Sequence, residues 1–292
     1  MACGSVCGTN RLRATANSRR VSSVTTAGRN LTLDGELVEQ QVSALRPILW
    51  FAAASIATTT LHECAHAAMA FAVGVPSTLY SYSAQLDMTP DQAASSLPAI
   101  IRVAGPAFCL VIGMLSWFAL ARARNPVVRL PLLFFTVFGI GTFCGNLMSV
   151  AFVGDFAAVA DSLALPAVHR YVMAGAGFVS LIAVHVWAGR RLLGLLPASL
   201  GRLAGTLTVI VAPALLGTAA VVIVNQPMPA MFTSARAAEA SFWLFAAIGA
   251  VWTKRLESSV PGSLTLHATD GIAVVLAVVA VRVMVRGIPL VP

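Results

Sequence analysis

Long, predominantly apolar stretches constrain this chain more than any other feature of it. About 20 consecutive apolar residues suffice to cross the hydrocarbon core of a bilayer, and such stretches recur along the whole sequence. They fall near residues 49–75, 97–121, 130–153, 171–188, 203–224, 240–252 and 271–285. The sixth is short, and the first is long enough to tilt or to end early. The expectation is an all-α, polytopic bundle of transmembrane helices with seven spans, within a range of six to eight. Composition agrees: only 10% of the 292 residues are charged, against about 25% in an average soluble domain. An integral protein of a bacterial cell membrane is expected, with the lipid bilayer as its first partner.

The net charge of +8 is distributed by loop. Arg122, Arg124 and Arg129 fall between the second and third runs; Arg190, Arg191 and Arg202 between the fourth and fifth; Lys254 and Arg255 after the sixth. The alternate loops carry Asp87 and Asp91 without a cation, Arg170, or Arg236. This alternation is the positive-inside pattern. With Arg11, Arg13, Arg19, Arg20 and Arg29 ahead of the first run, it puts the N-terminus in the cytoplasm. The basicity is topological, and nucleic acid is not an expected partner. Lys254 is the only lysine, which suggests GC-rich coding and nothing about mechanism.

Residues 1–44 form a polar, Arg-rich arm without an apolar core. It reads as disordered rather than as a signal peptide, with a short amphipathic helix near 35–45. Cys3 and Cys7 stand there without the second pair that a zinc knuckle needs, and Cys64, Cys109 and Cys144 lie inside apolar runs as packing residues. The loop after the first run contains "STLYSYSAQL", in which Tyr80 and Tyr82 alternate with Ser81 and Ser83. Alternation of period two predicts a short strand or hairpin in this loop. It reads either as an interfacial aromatic belt or as an edge that pairs with an extended peptide. Gly141 and Gly145 form a small-xxx-small pair suited to close helix approach.

Within the first run stands His62-Glu63-Cys64-Ala65-His66. On a helix, residues i and i+4 lie about 40° apart in azimuth and one turn apart in height, so both imidazoles can converge on one Zn²⁺. Glu63, rotated about 100° from His62, is placed to exchange protons with a water at that ion. Ionisable groups at membrane depth are costly and mark functional sites. Here three occur within five positions, where the bland alternative is a set of structural hydrogen bonds.

A catalytic zinc site usually takes three protein ligands and leaves one position open. Among the acidic residues, Asp34, Glu36 and Glu39 lie on the arm, while Asp87, Asp91, Glu257 and Asp270 read as loop residues. Asp155, Asp161 and Glu239 remain near membrane depth, with His169 as a further candidate. Gly154 before Asp155 can break the helix and aim the carboxylate inward, since broken backbone at depth is tolerated where it lines a cavity. His185 reads as a hydrogen-bonded packing residue.

Three segments together resemble the site-2 protease family of intramembrane zinc metalloproteases. They are "HECAH" inside a span, "RVAGPAF" with Gly105 and Pro106 opening the next, and "GNLMSVAFVGD", similar to the family's Asn-Leu segment leading to an Asp. The resemblance covers roughly residues 49–166. It implies His62, His66 and Asp155 as ligands of one zinc ion, Glu63 as the catalytic group, and Asn146 at the family's Asn position. Phe156 stands where the family has Gly, Cys109 where it often has Asn, and the Asn-to-Asp spacing is one residue longer.

By this resemblance residues 45–166 are a catalytic three-helix membrane core and residues 167–292 are additional spans. The implied activity is hydrolysis of a peptide bond in or near a transmembrane segment of a protein or peptide substrate. Tyr80, Tyr82 and Asn146 are candidate substrate contacts, and Thr58, Thr59 and Thr60 suit the lining of a water-bearing cavity. Two other readings stand beside it. One is a membrane zinc peptidase of the CAAX prenyl protease type, with Glu239 as distant ligand; the other is a non-catalytic metal-binding scaffold. In characterised family members the site lies nearer the cytosol, whereas the loop charges here direct the first span outward from a cytoplasmic N-terminus.

Overall fold

The computed structural model describes residues 43–196, 201–252 and 264–292, and the backbone of 29–31 and 37–39. The rest of the arm, with Cys3 and Cys7, and the residues Lys254, Arg255 and Glu257 lie outside the described residues. Strands β1 (Arg29–Leu31) and β2 (Leu37–Glu39) pair antiparallel, Arg29 opposite Glu39. A helix near 35–45 was expected there. Among the described residues Leu37–Glu39 are strand, and the first helix is α1 (Leu45–Ala72).

After α1 come β3 (Ser77–Leu79), β4 (Ala84–Leu86), the short α2 (Pro90–Ala93) and α3 (Leu97–Arg122). Then follow α4 (Pro126–Ser149), α5 (Asp155–Ser162), α6 (Ala167–Leu193), α7 (Arg202–Val224), α8 (Ala230–Val251), α9 (Ala268–Met284) and β5 (Ile288–Leu290). Each of the seven expected apolar runs falls on a long helix: α1, α3, α4, α6, α7, α8 or α9. By length and composition four of them, α3, α4, α6 and α7, can cross a membrane. The expected count of seven is not reached by that measure. His62, Glu63 and His66 interrupt α1, Arg236 and Glu239 interrupt α8, and α9 is only 17 residues long.

The outer surface is apolar. Leu115 and Phe118 on α3, Val172 and Val179 on α6, Leu215 and Ile223 on α7, and Leu276 and Val283 on α9 are all exposed. A soluble monomer rarely presents such extended apolar area. The interior is tight by comparison. Phe51 meets Phe138 edge-to-face at 5.0 Å and Trp243 at 5.1 Å, in one cluster joining α1, α4, α6, α7 and α8. A Cβ on Gly113 would lie 2.6 Å from the Ile140 nitrogen, and one on Gly139 equally near the Gly113 nitrogen, so α3 and α4 cross backbone against backbone. Gly189 and Gly249 do the same for α6 and α8. The pair expected to serve this purpose does not. Gly145 meets nothing within 4 Å and Gly141 only side chains at 3.9 Å or more, because the crossing lies on another face of α4.

Successive long helices alternate in direction. Arg46 at the start of α1 donates to the Val127 carbonyl at the start of α4 (2.6 Å) and to Asp270 at the start of α9 (2.9 Å), and Arg202 at the start of α7 reaches the Val251 carbonyl at the end of α8 (3.2 Å). One end of the bundle thus collects Arg46, Arg122, Arg124, Arg129, Arg190, Arg191 and Arg202, with Asp270 the sole carboxylate among the described residues there. Asp270, expected in a loop, is 1% exposed. It sits in the first turn of α9, where it also accepts from the His267 backbone and the Trp50 indole.

The opposite end carries a three-stranded sheet of order β4-β3-β5, both pairings antiparallel. Tyr80 and Tyr82, expected within one strand, lie instead in the loop of the β3–β4 hairpin, where the Tyr80 N–H donates to the Ser83 carbonyl (2.8 Å). Their rings stack at 5.7 Å, and the alternation is that of a loop pinned by aromatic contact rather than of a strand.

Candidate metal centre

α1 and α3 pack side by side, and α5 approaches α3 from the far end of α4. The chain makes that approach by breaking. α4 stops at Ser149, and Gly154 adopts φ +105°, a conformation that side chains with a Cβ rarely take. A new helix then begins at Asp155, turning its carboxylate inward, buried to 8% exposure.

Three ligand-bearing atoms meet there. His62 Nε2 lies 2.9 Å from Asp155 Oδ2, His66 Nε2 3.2 Å from the same oxygen, and the two imidazole nitrogens are 3.0 Å apart. Tetrahedral ligands at the usual 2.0–2.1 Å from zinc would be about 3.3 Å from one another, close to the observed triangle. The partners on the far side of each ring decide which atoms carry protons. His66 Nδ1 is 2.7 Å from the Ile101 carbonyl, which can only accept, so Nδ1 donates and Nε2 keeps its lone pair. His62 Nδ1 is 3.5 Å from Cys109 Sγ, whose thiol in turn reaches the Thr58 carbonyl at 3.7 Å. A donor relay from His62 Nδ1 through Cys109 to Thr58 leaves the second Nε2 bare as well. Two imidazole lone pairs and a carboxylate oxygen then face one another in a buried space. That donor set is complete for a metal ion, and without one it closes only when a ring takes a second proton and donates to Asp155. Among the described residues, His62, His66 and Asp155 are the group able to hold a metal ion.

The supporting shell explains the remaining geometry. Arg102 Nη1 holds Asp155 Oδ1 at 3.1 Å, leaving Oδ2 to the histidines. Gly105 stands beside the rings: a Cβ there would fall 2.8 Å from His62 Nε2 and closer still to the His66 imidazole. The site requires that glycine as empty space. Glu63 is half-buried and lies in the electrostatic field of His62, His66, Asp155 and Arg102. Thr58 and Thr60 have buried hydroxyls with no partner among the described residues, while the Thr59 hydroxyl donates to the Ser55 carbonyl.

Of the other candidates none joins the group. Asp161 is exposed and pairs with Arg170, Glu239 pairs with Arg236 at 2.6 Å, and His169 is exposed. His185 is buried against Trp243, with Nδ1 donating to the Leu181 carbonyl, a packing histidine as expected. Asn146 donates to the Thr142 carbonyl at 3.1 Å, and its own carbonyl points toward Gly154. Tyr82 rests on Phe232 of α8 at 5.2 Å. Arg102 and Cys109 were not singled out as site residues by sequence. Both lie about one turn from Gly105 on α3, a spacing that a helical projection of "RVAGPAFC" places beside the histidines. Comparison with models of known families, with curated proteins and with solved structures finds no match to this chain.

Proposed function

We propose that this chain is an intramembrane zinc metallopeptidase of the site-2 protease type, cleaving peptide bonds in or near transmembrane segments of other proteins. The observation that carries the proposal is the convergence of His62 Nε2, His66 Nε2 and Asp155 Oδ2 within 3.2 Å of one another, one residue from an otherwise uncommitted glutamate. Two nitrogens and one oxygen with a position left open is the donor set of catalytic zinc. When bound, zinc supplies a Lewis acid and a water that ionises near neutral pH. His62, His66 and Asp155 would hold it, and Arg102 fixes the carboxylate. Glu63 takes the proton of the attacking water and returns it to the leaving amine. The unpaired hydroxyls of Thr58 and Thr60 offer water a polar route along α1.

All seven long helices span the bilayer in this reading, α1 and α8 carrying their ionisable groups toward the bundle interior. The arginine-rich end is cytoplasmic by the positive-inside pattern. The metal centre, two-thirds of the way along α1, then lies toward the opposite face. A substrate helix hides its carbonyls in i→i−4 bonds and must unwind before cleavage. β4 is the outer strand of its sheet, and its free edge beside α1 suits an extended substrate segment.

The test is Glu63→Gln in detergent-purified protein, scored for zinc content and for cleavage of a transmembrane peptide. Zinc remains stoichiometric while the rate falls by about 10²–10⁴-fold, the usual worth of a general base. Full cleavage by that variant would sink the peptidase reading. Zinc binding with no cleavage even by the wild type would make the chain a metal-bearing scaffold.

A further inference from the structure

The arginines that mark one end of the bundle are not all solvated. α3, α4 and α6 enclose a cavity of about 240 Å³ there, walled by Trp117, Arg129, Trp187 and Arg191 over an apolar floor that includes Leu133 and Leu195. Arg129 Nε is buried and has no hydrogen-bond partner among the described residues. A buried guanidinium nitrogen without a partner is costly, and its planar fork is shaped for an oxyanion. The Arg191 guanidinium lies 5.9 Å from the centre of the Trp187 ring, which restrains it beside the same opening. No carboxylate among the described residues pairs with Arg129 or Arg191. Asp270, the one acid among the described residues at this end, is committed to Arg46, Trp50 and the His267 backbone.

We infer that this cavity is a binding site for a phosphate group, and specifically for the headgroup phosphate of an anionic phospholipid. Size and surroundings favour the lipid as source. The volume is below the roughly 300–1,000 Å³ of pockets that enclose whole drug-sized ligands, so it holds a headgroup and leaves the acyl chains outside. Leu115 and Phe118, exposed on α3 next to Trp117, present the apolar surface those chains need. Indoles beside arginines are the pairing found at the level of lipid headgroups, and basic pockets between membrane helices bind anionic lipids. The site is remote from the metal centre and does not depend on the peptidase reading.

Full-length protein in detergent, delipidated, is titrated with phosphatidylglycerol carrying brominated acyl chains, reading the quenching of tryptophan fluorescence. Phosphatidylcholine with the same chains and inorganic phosphate, as competitor, form the other arms. Phosphatidylglycerol quenches saturably, with affinity at least tenfold above phosphatidylcholine. R129Q and R191Q together weaken it at least tenfold, whereas R122Q, at the same end but outside the cavity, does not. Replacing Trp117 and Trp187 together by Phe removes most of the quenching, and an unchanged unfolding midpoint of the lipid-free R129Q/R191Q variant separates lost binding from lost folding. Competition by millimolar inorganic phosphate identifies the same phosphate site with a free anion as its occupant; no competition assigns it to the headgroup. Equal binding of both lipids, or no effect of R129Q with R191Q, overturns the inference.

Discussion

α1 carries two buried polar clusters, about 24 Å apart along the helix, and they are built on opposite principles. At its start, Arg46 and Trp50 give their protons to Asp270, whose remaining capacity is taken by the His267 backbone. Donors and acceptors match, and the ends of α1, α4 and α9 are tied together. Further along the same helix, His62 and His66 present lone pairs to a third acceptor, Asp155. Both clusters are sealed from solvent, so burial does not distinguish them. The balance of protons does: a cluster that satisfies itself is architecture, and one with surplus acceptors awaits a cation.

That contrast can be broken by experiment. The largest effect is expected from Gly105→Ala, which places a methyl group against both imidazoles. Zinc retention by purified protein should be abolished with helix content by circular dichroism unchanged. Retention of a full equivalent would mean that the rings move aside easily and the cavity is not preformed. Next, Arg46→Met strands a buried carboxylate and should lower stability by about 3–5 kcal/mol, read as the thermal unfolding midpoint, while zinc content per folded molecule stays at one. Loss of zinc in that variant would show that the two clusters are coupled rather than independent. The smallest effect belongs to Arg102→Gln. Removing a partner that orients a metal ligand costs about 10–100-fold in affinity, measurable by competition with a chelator. An unchanged affinity would mean that Gly154 alone positions the carboxylate.

Much of the centre was legible because it is local. Two histidines one turn apart in an apolar run can be read directly, and Gly154 before Asp155 announces a break in the helix. What was hidden depends on distant pairing. Arg102 sits unremarked inside the second apolar run until α5 folds back upon α3, and Asp270 looks like a loop residue until Arg46, 224 positions earlier, reaches it. Cys109 reads as one more packing thiol; its role follows from facing His62 across a helix interface. Tyr80 and Tyr82 misled because two alternating pairs are too few to distinguish a strand from the loop between two. Gly141 and Gly145 misled because spacing fixes a face of α4 but not the neighbour it meets. The apolar runs located every long helix, yet length and composition qualify only four for crossing: α9 is one residue short, Arg236 and Glu239 dilute α8, and the histidines and Glu63 dilute α1.

Gly154 has a mechanical consequence. By interrupting the backbone it puts the Asp155 carboxylate on a separate short helix packed on α3 and α4, while the two histidines ride on α1. An ion held by all three would cross-link elements that the chain joins only through a break, so its capture and the docking of α5 would be a single equilibrium. Ligand that binds only the closed arrangement stabilises it by RT ln(1 + [L]/Kd). The grip on the ion would accordingly be set by how well α5 packs as well as by the three ligands themselves.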